Sequence, residues 1–123
     1  MDRDELKNRF KQFALRIIKL VDSMPHAIST DAIARQIIRS GTSPAANYRA
    51  ACIAKSNKDF INKLKMVEEE LDETLFWMEL LMESGKISKD RTANLYKENQ
   101  ELLSIIVSSI TTLRRNDKEL LFL

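Results

Sequence analysis

Apolar residues recur along this chain at alternating intervals of four and three. Leu6, Phe10, Phe13, Ile17, Leu20 and Met24 form one such row. Ile33 and Ile37 open a second, continued in register by Ser40, Pro44, Asn47, Ala51 and Ala54. A third runs through Phe60, Leu64, Val67, Leu71, Thr74, Met78 and Leu81. The fourth has Leu95, Leu102, Ile106 and Leu113, with Leu103 and Ile110 alongside. Such spacing lays each row on one face of an α-helix, and each face needs a partner helix to cover it.

The breaks between rows predict four helices, near 4–24, 29–55, 57–84 and 89–115. Pro25 ends the first, because proline disfavours the helical region for the residue before it. Ser29 or Thr30 is the expected cap of the second, with Asp31 favourable in its first turn. Ser56 caps the third, and Asp59 three residues on approximates a capping box. Gly85 stops it and Ser88 starts the fourth. The connections are short, so neighbours run antiparallel. The expected architecture is all-α, an up-down-up-down antiparallel four-helix bundle, with residues 1–123 as one domain. Two glycines and two prolines leave little punctuation for strands.

The segment Arg39-Ser40-Gly41-Thr42-Ser43-Pro44-Ala45-Ala46-Asn47-Tyr48 is the odd one. It is full of turn formers, yet the register passes through it unbroken. That predicts one long second helix, kinked near Gly41 and Pro44, since proline takes away the bond to the Ser40 carbonyl and clashes with it. The alternative is two short helices, with Thr42 or Ser43 as N-cap and Pro44 at the first helical position. The small residues allow close backbone approach. Asn47, on the row, would be a buried polar group needing Thr42 or Ser43 as partner.

Charge is sorted along the chain although the net charge is only +2. From Ala32 to Lys58 the charged residues are Arg35, Arg39, Arg49, Lys55 and Lys58. From Glu68 to Glu83 all seven are acidic, Glu70 and Glu73 among them. Either each run is a solvated face, with pairs inside the bundle worth little, or the basic face of one copy meets the acidic face of the next. Leu75-Phe76-Trp77-Met78 and Leu80-Leu81-Met82 leave the third helix apolar nearly all round. Phe76 and Trp77 cannot both enter one core, so one of them is expected at a subunit interface. The cations, with Lys63 and Lys65 beyond them, are candidate phosphate contacts for RNA or DNA. No aromatic platform or nucleic-acid-binding motif accompanies them, so sequence-specific readout is not expected. The other class is a protein-interaction module that assembles with itself or with an unidentified protein partner.

Catalysis is not expected. The single histidine, His26, lies beside Pro25, so neither an inward Glu-x-x-His di-iron pattern nor a serine triad with a glycine elbow can be assembled. Glu68, Glu69 and Glu70 are consecutive and diverge around a helix. Phosphate-binding glycine motifs are absent. The single cysteine, Cys52, excludes an internal disulfide and reads as a small core residue. No cofactor and no metal is expected. A charged start, Met1-Asp2-Arg3-Asp4-Glu5, and apolar runs broken by Lys19 or Glu79 give neither leader nor membrane span. The expected setting is therefore the cytoplasm, without a membrane partner. Glu119-Leu120-Leu121-Phe122-Leu123 is unusually apolar and is expected either to dock or to touch a neighbouring chain.

Four motifs at matching intervals carry a resemblance. They are Arg39-Ser-Gly-Thr-Ser, Ala46-Asn47-Tyr48-Arg49, Ser56-x-x-Asp59-Phe60-x-x-Lys63-Leu64 and Glu70-x-x-Glu73-Thr74-x-x-Trp77-x-x-x-Leu81. Over about residues 5 to 115 the chain resembles the four-helix bundle proteins encoded in intervening sequences of bacterial 23S rRNA genes, some of them labelled ribosomal proteins. The resemblance implies a bundle that assembles as a ring-like homopentamer, without an enzymatic activity. It also implies kinship with the basic, nucleic-acid-binding accessory proteins of diversity-generating retroelements. Ala50 stands where the family usually carries glutamate, and Pro44 where a branched apolar residue or glycine is common.

Overall fold

The computed structural model describes residues 1–121, with side chains described as far as Asn116. Four helices follow one another: α1 (Arg3–Asp22), α2 (Ile28–Ala51), α3 (Asn57–Glu83) and α4 (Lys89–Leu121). Each packs on its neighbours in sequence, most extensively α2 on α3. Among the described residues no diagonal pair brings its backbones within 8 Å, and α1 and α4 close the ring only thinly. This is the expected up-down-up-down bundle.

The helix ends follow local chemistry. Asp2 caps α1, its carboxylate accepting from the Glu5 N–H at 2.8 Å. Ser56 caps α3, accepting from the Asp59 N–H at 3.1 Å. Gly85 follows α3 with φ 74, the left-handed conformation that glycine supplies at a helix C-terminus. The start of α2 differs from expectation. Its N-cap is Ala27, which makes no side-chain cap, and neither Ser29 nor Thr30 caps the helix. Thr30 is already inside the first turn and buried. Its hydroxyl donates back to the Pro25 carbonyl at 2.7 Å and so ties the α1–α2 turn to the helix. The far end is shorter than expected. After Ala51 the chain tightens, with Ile53 and Ala54 donating to carbonyls three residues back.

Pro44 sits inside α2 without dividing it, so the reading as two short helices does not hold. Beyond it the core row is carried by Tyr48, which is buried, while Asn47 is half-buried and donates to Ser43 Oγ at 2.9 Å. A straight helix turns every 3.6 residues, so a row spaced at 3.5 drifts off the core within a few turns. The same drift puts Ile61 in the core, where the row named Phe60. On α4 it puts Ile110 in the core and leaves Leu113 half-buried; Thr92 and Asn99, polar but in register with Leu95 and Leu102, are buried as well, and Leu103 is half-buried. The apolar segment 119–123 begins on the last turn of α4; its side chains lie outside the described residues.

One contact sets the spacing of α1 and α2. A Cβ on Gly41 would lie 2.8 to 2.9 Å from Cγ1, Cδ1 and Cγ2 of Ile17, nearer than side chains approach. On the other flank of α2, the Thr74 hydroxyl is 2.8 Å from both Ser40 Oγ and the Glu70 carbonyl. A small polar pair is thereby buried between α2 and α3.

Candidate interaction surfaces

The core residues Ile37, Gly41, Pro44 and Tyr48 fix which way α2 faces. Arg35, Arg39 and Arg49 stand on its opposite, exposed side. Arg35 and Arg49 are about 21 Å apart along the axis at 1.5 Å per residue. Lys55 and Lys58 extend the row, exposed, around the α2–α3 turn. Lys63 and Lys65 are half-buried on α3.

Only Arg39 of these seven forms an ion pair among the described residues. It donates to Glu70 at 3.0 Å and to Glu73. Glu73 also accepts from the Trp77 indole N–H at 3.2 Å. Three residues named for a subunit interface, Glu70, Glu73 and Trp77, are thus engaged within their own chain. The fourth, Phe76, is not. Its ring meets Trp77 edge-on at 5.1 Å and remains 51% exposed, with Leu80 one turn on at 37%. α1 presents Leu15 and Ile18 on its outer side in the same way.

The turn-former segment is structural throughout. The Thr42 hydroxyl donates to the Ile38 carbonyl, Ser43 holds Asn47, and Gly41 and Pro44 are buried. Two features were not foreseen. Arg9 grips α4 through Glu98, at 2.8 and 2.6 Å, and through Glu101. Those carboxylates hold its guanidinium pKa above the ordinary value. Asn99 is fully buried, and neither its Nδ2 nor its Oδ1 has a hydrogen-bond partner. The signal for Asn99 was present, since it lies four residues after Leu95 and three before Leu102.

Where α1 and α4 part, at the start of α1, lies a groove of about 590 Å³. Leu6, Tyr48, Phe60 and Leu64 form its floor, Ile105 and Leu113 its α4 wall. Arg3 lies at its edge, its guanidinium 4.6 Å from the Phe60 ring centre. Tyr48 stacks on Phe10 at 5.1 Å, and burial, then the neighbouring Cys52 thiol, pushes its hydroxyl up to about 12.

Among the described residues no group of three or more His, Cys, Asp and Glu side chains could hold a metal. His26 is exposed in the α1–α2 turn, 3.1 Å from Asp31. Among those residues no helix is long and apolar enough to cross a membrane.

Fold and surfaces together define the class: an all-α four-helix bundle whose distinguishing features are on its outside. The chain belongs to the 23S rRNA-intervening sequence protein family, whose sequence model matches residues 4–108. It is also similar to a solved protein of unknown function from the S23 ribosomal protein family of Bacteroides thetaiotaomicron VPI-5482. The two are 33% identical with a TM-score of 0.83, over 90% of this chain and 99% of that one. No curated relative matches.

Proposed function

We propose that this protein is a non-enzymatic scaffold that associates with itself into a ring. The observation that supports this is the pair of outward apolar sites, Phe76 with Leu80 on α3 and Leu15 with Ile18 on α1. α1 and α3 are diagonal in the bundle, so their outward sites face away from each other. Different patches meeting head to tail form closed rings when the rotation allows. Large aromatics such as Phe76 are common anchors of such contacts. Five subunits is the number the family resemblance implies. The unpaired Cys52 suits a reducing cytoplasmic setting.

Native mass spectrometry and sedimentation across a concentration series test this reading. A single closed species with the mass of five chains is expected; a chain that stays monomeric overturns it.

A second reading rests on its own observation. Arg35, Arg49, Lys55 and Lys58 are exposed and form no ion pair among the described residues, so they are available to phosphate. A ring would repeat this weak patch into a useful field. Anisotropy of labelled RNA and DNA over a salt series checks it. Affinity should fall steadily with salt, be similar for unrelated sequences, and drop when Lys58→Glu and Lys63→Glu are combined, with the oligomer intact. Absence of binding at low salt leaves an assembly module that recognises protein alone.

A further inference from the structure

We propose that the apolar segment 119–123 of one copy seats in the α1–α4 groove of a second copy. This rests on the self-association reading and assigns one contact within it.

The groove exists because α1 and α4 close thinly near the start of α1. There the buried side chains Leu6, Tyr48 and Leu64 form the floor, and Phe60, Ile105 and Leu113, only half-buried, leave apolar surface open along it. Its volume of about 590 Å³ falls in the range of clefts that hold ligands, roughly 300–1,000 Å³. The occupant must therefore be apolar and of a few side chains.

The chain carries such a segment, Leu120-Leu121-Phe122-Leu123, and the helix that bears it leads away from its own groove. α4 lines the groove as far as Leu113 and then stays helical to Leu121. Eight further residues at 1.5 Å each carry the segment about 12 Å onward along the axis. Thr112 and Leu113 already lie beside Asp2 and Arg3, where α1 begins, so this stretch leads past that end of the bundle. The helix that forms one wall of the groove is thus directed away from it. A second copy has no such restriction.

Charge agrees with the assignment. Arg3, at the groove edge, forms no ion pair among the described residues, and Glu119 directly precedes the apolar run. Segment and groove are different patches, so passing the contact from each copy to the next suits a ring.

The test uses a labelled peptide of residues 114–123 and a chain ending at Lys118. The peptide should bind the shortened chain at micromolar concentrations, measured by anisotropy. A Phe122→Asp peptide should bind at least about tenfold more weakly. Ser108→Trp, which fills the groove from its exposed α4 wall, should do the same. The full-length chain should take up little peptide, its groove being occupied, and native mass spectrometry should give a smaller oligomer for the shortened chain. No peptide binding, with an oligomer of unchanged mass, overturns this inference and leaves self-association standing. Equal binding of the Phe122→Asp peptide also overturns it. A full-length chain that is monomeric and a shortened chain that binds no peptide overturn both.

Discussion

Gly41 decides how close α1 and α2 can come. Alanine is the better helix former by about 1 kcal/mol. Here its Cβ would strike Ile17 at branch atoms close to the backbone, which cannot swing aside as a chain end can. Overpacking of this kind costs about 1–3 kcal/mol. Gly41→Ala is therefore expected to lower stability by about 1 kcal/mol or more in urea unfolding, and Ile17→Val should recover part of the loss in the double variant. Asn99 works the other way. A buried amide without partners carries a desolvation penalty of about 1–3 kcal/mol, so Asn99→Leu should raise the thermal midpoint. An unchanged or lower midpoint would mean that the amide has partners in solution. Tyr48 gives a pH signature. Its hydroxyl is held near 12 by burial and Cys52, against about 10 in the unfolded chain. The unfolded state loses this proton first, so stability is complete below about pH 10 and declines between about pH 10 and 12. Tyr96, raised by burial and Glu79, acts in the same direction. Melts across that range should fall less steeply in Tyr48→Phe than in the parent.

At the scale of elements, helix ends made by a residue's own local chemistry could be read in advance. Ser56 with Asp59, and Gly85, are of this kind. The start of α2 could not be read that way. Thr30 has a second acceptor, the Pro25 carbonyl, which becomes available only when the turn closes over it. Pro44 shows that packing can override a local breaker. It is buried inside α2, and its apolar ring offsets part of the lost backbone bond. The weakest joint is α1–α4, where Arg9 spans the gap to Glu98 and Glu101. Arg9→Met should cost about 1–2 kcal/mol, because it leaves two carboxylates beside each other without their cation. Hydrogen exchange should show the loss first as faster opening of α4.

For the whole molecule, sorted charge was the most visible signal and the most ambiguous. The structure divides it. Arg39 and its two glutamates neutralise each other across α2 and α3, while Arg35, Arg49, Lys55 and Lys58 stay open to solvent. The surplus of apolar residues on α3 divides likewise, with Trp77 half-buried against the bundle and Phe76 outward. Phe76→Asp combined with Leu80→Asp is expected to abolish association in sedimentation. The fold should persist, since exposed positions tolerate such changes to within about 0.5 kcal/mol. A folded double variant of unchanged mass would place the interface elsewhere.

Four helices, their approximate ends, their antiparallel order and the family are legible in the amino-acid order alone. These follow from the spacing of apolar residues and from capping chemistry, both local to a few turns. The tertiary structure alone decided which of two adjacent residues enters the core, Tyr48 rather than Asn47 and Ile61 rather than Phe60. Helical rows drift against a seven-residue count, and only a neighbouring helix fixes their rotation. It alone also decided that Arg39 is paired while Arg35 stays exposed, and that α1 and α4 part to leave a groove. Those outcomes depend on distances between side chains far apart in sequence, which no spacing along one chain encodes.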